Sequence, residues 1–380
     1  MKTTILKENL AYGLSIAARA TSPRSTLPIL QNVLLAAEPG SLHLSATNLE
    51  LSLTCQVQAQ VERTGKCTVP AATLTELAKT LPEGPVSLEW AEATQTLHVR
   101  GAGDATKTQL KGITANEFPP IETPSHTPTL RVQARTLKDL IRQVTIAASR
   151  DEARPSLTGV LFTAEPEALP QSGYQLRLAA ADGFRLAVVS SQIPYTETAN
   201  HSPTAFEALV PVRALVELAR VLPNKGEVAL TLDTGRILFQ TEGLQLASQL
   251  IDAQFPDYAQ VIPKSHQTRT VFNRDAFLNA CKQAGIFARE SAQIARLSLQ
   301  PGCLRISAQA EETGSNESSL SADVQGPELE IVFNVRFLQD IAEVMPAPNM
   351  VLETTTASAP GVFRISDESG CLHVLMPMNA

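Results

Sequence analysis

The chain reads as an α+β protein of three repeated domains, each with two helices packed on antiparallel sheet. A repeated helix, a second repeated helix upstream of it, and short alternating strands between the two support that reading. The first helix occurs as VPAATLTELAKTLP from Val69, VPVRALVELARVLP from Val210 and FNVRFLQDIAEVMP from Phe333. In each copy the apolar residues fall at i, i+3, i+4 and i+7, one face of a helix. They are Leu74, Leu77, Ala78 and Leu81; Leu215, Leu218, Ala219 and Leu222; and Leu338, Ile341, Ala342 and Met345. A proline follows each copy and stops it: Pro82, Pro223 and Pro346.

The upstream helix carries Leu10, Gly13, Leu14 and Ala17; then Leu137, Leu140, Ile141 and Val144; then Phe277, Ala280, Cys281 and Ala284 on its apolar face. After each comes a strand, Asn32 to Leu35, Gly159 to Phe162 and Arg296 to Leu299, and then an alternating one, Leu42 to Ser45, Leu176 to Ala179 and Leu304 to Ser307. Proline-rich punctuation runs from Phe118-Pro119-Pro120 to Pro128 and recurs at Phe255-Pro256-Asp257, giving domains of about 1–124, 125–258 and 259–380. Glu165 to Tyr174 and Glu311 to Ser319 are expected as exposed loops, and Gly101 to Thr106 as a β-turn. Asp182-Gly183-Phe184-Arg185, between two apolar runs, reads as a hairpin turn.

Composition narrows function. The 380 residues carry 31 Lys plus Arg against 38 Asp plus Glu, a net charge of −7, so blanket neutralisation of phosphates is a poor fit. Aromatics make up 4%, too few for a single-strand binder built on stacking. Lys7 and Glu8 break the first residues, so no secretory leader is expected, and no apolar run approaches a membrane span. Cys55, Cys67, Cys281, Cys303 and Cys371 are widely spaced without a CxxC and read as small buried hydrophobes in a reducing, cytoplasmic setting. No nucleotide loop, nucleophile elbow or HExxH is present, Glu311-Glu312 reads as a solvated pair, and no catalytic residue, cofactor or metal ligand is assigned. The run His373-Val374-Leu375-Met376-Pro377-Met378 is either a final core strand or an adaptable Met-lined groove, and one strand can serve both readings with its two faces.

The ordered set Thr26-Leu27-Pro28-Ile29-Leu30, Ala46-Thr47-Asn48-Leu49-Glu50, Asn116-Glu117-Phe118-Pro119, Ala181-Asp182-Gly183-Phe184-Arg185-Leu186, Phe255-Pro256-Asp257-Tyr258, Phe333-Asn334-Val335 and Val374-Leu375-Met376-Pro377-Met378 resembles the bacterial DNA polymerase III beta subunit family, the β sliding clamps. It spans essentially the whole chain. The resemblance implies three DNA-clamp domains, a head-to-tail homodimeric ring around double-stranded DNA, and no enzymatic activity. It also implies partners: a replicative DNA polymerase, an ATP-driven clamp loader, and other clamp-binding polymerases and repair proteins that dock through short hydrophobic peptides. The family's partner-peptide pocket carries over onto Leu157, Gly183, Arg185, Leu186, Pro256, Val261, Val374, Leu375, Met376, Pro377 and Met378. Apolar walls with one guanidinium suit a peptide with hydrophobic anchors and a polar or carboxylate handle. Phe184 stands where a His is common, Asn379-Ala380 replaces a usual Arg-Leu ending, and Ala292 aligns with a pocket Phe of some relatives.

Helix geometry agrees with a dimer. At roughly 10 Å between axes, six helices enclose a hole of only about 10 Å, whereas twelve enclose roughly 30 Å. Duplex DNA is roughly 20 Å across. Encirclement also accommodates the net acidity, since a ring held by topology needs few phosphate bonds and slides more freely. Opposite the apolar helix faces lie Lys79, Lys138, Arg142, Arg213, Arg220, Lys282, Arg289 and Arg336, candidates to face DNA, although Glu76, Glu217 and Asp340 share those helices. The resemblance adds Arg24 and Arg154 in DNA-proximal loops, with Pro155 and Ser156 where some clamps have aromatics. Two alternatives stay open at this point: an enzyme with a site near Asp182 and Arg185, and a monomeric scaffold with no DNA association.

Overall fold

The computed structural model describes residues 1–101, 106–121, 128–166, 173–194, 205–365 and 370–378. Outside the described residues lie the boundary near 124, the centre of the Gly101–Thr106 turn, the middle of the Glu165–Tyr174 segment and the Asn379-Ala380 ending. The described residues form six α-helices: α1 (Lys7–Ala17), α2 (Ala71–Thr80), α3 (Ala134–Val144), α4 (Val212–Val221), α5 (Arg274–Ala288) and α6 (Val335–Val344). Their buried sides are the repeated faces, with Leu10, Leu74, Leu137, Leu215, Phe277 and Leu338 fully enclosed. Burying each of the larger of these side chains contributes about 1.5–3 kcal/mol. Leu77 is the exception, only half-buried.

The prolines act as expected. Leu81 and Met345 leave the helix with φ, ψ of −63°, 146° and −62°, 122°, because the ring of the following proline excludes the helical conformation. At the other ends, the Asn273 and Asn334 side chains accept hydrogen bonds from the N–H groups of Ala276 and Arg336, capping α5 and α6.

By internal contacts the chain forms two compact units. The first comprises Met1–Arg135 and Arg220–Leu250. It holds a five-stranded sheet in the order Gln60–Arg63, Lys2–Leu6, Pro85–Ala91, Thr96–Arg100, Lys107–Lys111. It also holds an eight-stranded sheet: Leu130–Gln133, Glu227–Asp233, Arg236–Thr241, Leu244–Gln249, Leu51–Gln58, Ser41–Thr47, Asn32–Glu38, Gly65–Pro70. Helices α1 and α2 pack on each other, and α1 lies on the Ser41–Thr47 and Leu51–Gln58 strands. The approach is close at Gly13, where an added Cβ would sit 2.7 Å from Leu44 Cδ1.

The second unit comprises Thr136–Ala219 and Ile251–Ala380. Its twelve strands run Phe206–Pro211, Gly159–Pro166, Tyr174–Ala181, Arg185–Ile193, Cys371–Leu375, Gly361–Arg364, Asn349–Thr354, Thr268–Asn273, Gly314–Gln325, Cys303–Ala310, Ile294–Gln300, Leu329–Asn334. All pairings are antiparallel. Helices α5 and α6 pack together, over a cluster in which Phe272 and Phe277 stand 4.7 Å apart and Phe333 meets Phe363 edge-on at 6.1 Å.

The expected loops fare differently. Glu311–Ser319 is mostly strand: a turn precedes Gly314–Gln325, which pairs with Cys303–Ala310 on one side and Thr268–Asn273 on the other. Hairpin pairing of Gly314–Ser319 with Arg305–Ala310 overrides the low strand preference of Gly and Asn there. Glu165 and Pro166 also belong to a strand, and Tyr174 opens the next one. The Asp182–Arg185 segment is a hairpin turn as expected, with Ala181 paired to Leu186.

Candidate functional site

In the second unit, the strand Cys371–Leu375 lies between Arg185–Ile193 and Gly361–Arg364, so it joins the central part of the sequence to its C-terminal part. Leu186 pairs with Val374, Arg185 with Leu375, and the chain continues as Met376 N–H donates to the Phe184 carbonyl at 2.9 Å. Strand alternation then sorts the side chains. On one face Leu186, Val362, Leu372 and Val374 form a cluster against Tyr258 and Ile262. A neighbouring cluster of Leu157, Leu161, Ala179, Leu209 and Phe255 also packs on Tyr258. Tyr258 meets Phe255 edge-on at 6.2 Å and thereby bridges the two clusters. Pro256, Val261, Gly183 and Met376 are exposed around them, and Pro377 and Met378 are half-buried.

The opposite face is occupied differently. Arg185 points toward α6, where its guanidinium lies 4.1 Å over the Phe337 ring and Nη1 donates to Asp340 Oδ2 at 2.7 Å. Its Nε donates to Asp182 Oδ2 at 3.0 Å, while Asp182 Oδ1 accepts from the N–H groups of Phe184 and Arg185. The expected free guanidinium handle is therefore already holding two carboxylates. Leu375 is fully buried and, alternating with Val374, lies away from that apolar cluster. His373 is enclosed beside Arg185; desolvation first and that positive charge second push its pKa down to about 3, so the ring is neutral. Its Nε2 has no hydrogen-bond partner among the described residues.

The hairpin tip is a left-handed turn: Gly183 has φ +92°, which glycine adopts without cost. Arg154 Nη1 lies 3.1 Å from where a Cβ of residue 183 would stand, so Arg154 lies beside this hairpin, and its Nε also pairs with Asp151 at 3.0 Å. The Ala153 N–H bond and then Arg154 hold the Asp151 carboxyl below its ordinary range. Phe184 is exposed at the tip, and Ala292 is exposed in the turn after α5 with φ +52°.

The basic candidates are surface residues. Arg24, Lys79, Arg142, Arg154, Arg213, Arg220, Lys282, Arg289 and Arg336 are exposed and Lys138 is half-buried. Lys282 pairs with Glu343 at 3.1 Å. Asp340, read from sequence as a helix-surface charge, is instead the partner of Arg185. Sequence reasoning missed Tyr258, Ile262 and Val362; the Phe255-Pro256-Asp257-Tyr258 motif was the available signal for the first. Among the described residues no His, Cys, Asp and Glu cluster could hold a metal, and no helix is long and apolar enough to cross a membrane.

Comparison with known proteins covers the chain. The DNA polymerase III beta subunit N-terminal domain matches residues 1–122, its central domain 131–257 and its C-terminal domain 259–379. A beta sliding clamp of Synechococcus elongatus is 34% identical, across 100% of this chain and 99% of its own. One from Pseudomonas putida is 32% identical across 100% of both. The crystal structure of the Bacillus subtilis DNA polymerase sliding clamp superposes with a TM-score of 0.90 at 25% identity, covering 100% of this chain and 99% of its own. A Pseudomonas aeruginosa sliding clamp bound to griselimycin gives 0.88 at 30% identity, covering 100% of both.

Proposed function

The chain belongs to the DNA polymerase III beta subunit family, the beta sliding clamps, and on that premise we propose that two copies close head to tail around duplex DNA and hold a replicative polymerase to its template. The family is a non-catalytic processivity factor, which removes the reading of Asp182 and Arg185 as an enzyme site. Tethering converts repeated bimolecular rebinding into an intramolecular encounter at high effective concentration. The ring requires a heterologous interface that closes after two copies. The observation that carries this reading is a family match over the length of the chain, on three helix pairs that each bury the repeated apolar face.

In this reading the domains divide near 124 and 258, and the exposed basic residues, Arg24 and Lys79 among them, face the DNA without gripping it. Partner proteins, including a clamp loader and other polymerases and repair proteins, insert short hydrophobic peptides beside Leu157, Leu186, Pro256, Val261 and Val374. Gly183, Met376, Pro377 and Met378 form the rim; Arg185 and Leu375 support it from behind. Exposed apolar side chains at Phe184, Val261 and Met376, close to two partly covered clusters, favour that placement. The protein acts where the chromosome is, in the cytoplasm.

Loaded protein should remain on closed circular duplex and run off linear duplex of the same sequence. Equal loss from both would exclude retention by topology.

A further inference from the structure

The first unit repeats the backbone device of the Arg185–Leu375 seam. The Leu244–Gln249 strand pairs with Leu51–Gln58, with Leu51 opposite Ser248 and Ser52 opposite Ala247. Those pairs correspond to Arg185 with Leu375 and Leu186 with Val374. Gln249 N–H donates to the Glu50 carbonyl at 2.8 Å, as Met376 does to Phe184 at 2.9 Å. Asn48 Oδ1 accepts from the N–H groups of Glu50 and Leu51, as Asp182 Oδ1 does from Phe184 and Arg185. Even the left-handed residue recurs, Leu49 at φ +79° for Gly183 at φ +92°, and Phe118-Pro119 stands for Phe255-Pro256.

The side chains differ. Ser52 and Ala247 stand where Leu186 and Val374 do, beside a cavity of about 240 Å³ with Leu49, Leu51, Pro119, Pro120 and Ala247 as apolar walls and Arg236 and Glu50 as its charged ones. Leu49 is half-exposed at its mouth in a conformation that costs a branched side chain about 1–2 kcal/mol. A strained apolar side chain at the mouth of a cavity is a feature found at ligand clamps. Arg236 brings a guanidinium, whose five N–H donors can serve more than one acceptor.

We propose that this cavity is a second peptide site, taking one aliphatic side chain between Leu49 and the two prolines, with a neighbouring carboxylate on Arg236. It rests on the reading of the Arg185–Leu375 seam as a partner-peptide site, and adds a second, smaller anchor point on the same chain. A partner with two such segments gains avidity without new contacts in either.

The test uses methyl-labelled full-length protein and the probe acetyl-Pro-Leu-Asp-amide, with acetyl-Pro-Leu-Lys-amide as control. Saturable shifts at the Leu49 and Ala247 methyls, at least fivefold tighter for the Asp peptide, are expected. Shifts at Leu186 and Val374 alone overturn the second site and leave the seam reading standing; silence at all four methyls, or equal binding of both peptides at Leu49, also overturns it. Ala247→Leu fills the cavity and should weaken the Leu49 response at least tenfold. Leu49→Gly removes the mouth while relieving its backbone, so it folds even if Ala247→Leu does not, and it should abolish the Ala247 response; an unchanged response in either folded variant counts against the site.

Discussion

The two seams share a hydrogen-bonding plan and differ in what braces them from behind. In the first, the position paired to Ser248 is Leu51, a buried aliphatic side chain. In the second it is Arg185, held by Asp182, Asp340 and the Phe337 ring. The first brace is nondirectional. The second fixes a direction, because a planar guanidinium satisfies two carboxylates and a ring in one orientation only. It links the hairpin to α6, so this seam is held to the helix layer by geometry as well as burial.

The largest way to break the contrast is Arg185→Ala. It leaves Asp182, whose side chain is 14% exposed, without its cation, and should cost about 3 kcal/mol in denaturant unfolding. A loss below about 1 kcal/mol would mean the brace carries no more than a surface pair. Next, Met376→Ala with Met378→Ala should cost about 2 kcal/mol or more of partner-peptide affinity while the dimer persists in sedimentation. Dissociation of that variant would move these residues into the subunit interface.

His373 sharpens the contrast through pH. Its folded pKa, about 3, lies below the unfolded value of about 6.5. The unfolded chain therefore takes up the proton first. The neutral ring costs nothing above pH 6.5, and stability falls by about 1.4 kcal/mol per pH unit as pH drops below it toward 3. His373→Leu should remove that part of the slope, so wild-type and variant stabilities should diverge on acidification; parallel curves would show a ring that titrates normally. The smallest effect is an exchange at the turn tips. Gly183→Ala should cost about 1 kcal/mol from its left-handed backbone, and Leu49→Gly should gain up to about 1 kcal/mol, both read from thermal midpoints.

Helix faces and stops were legible because they depend on local periodicity and on the proline ring: Leu338, Ile341 and Met345 sit as their spacing requires. The seam residues were legible as a set, but not their division between two faces. Leu375 looks like Val374 in a sequence, and only the register with Arg185 and Leu186 shows that Val374 joins the cluster that meets Tyr258 while Leu375 is buried away from it. Asp340 carries no sequence sign of its partner 155 positions away. Glu311–Ser319 has a polar composition that suits a loop, yet Gly314–Ser319 is held as a strand by hairpin pairing with Arg305–Ala310.

Placing Cys371–Leu375 in the interior of a twelve-stranded sheet sets an order of events during synthesis. Until residue 375 has cleared the ribosome, Arg185–Ile193 and Gly361–Arg364 each present an open row of amides and carbonyls. Such edges recruit foreign strands. The nascent chain is thus most prone to aggregation just before its last insertion, and chaperone dependence should concentrate in that interval.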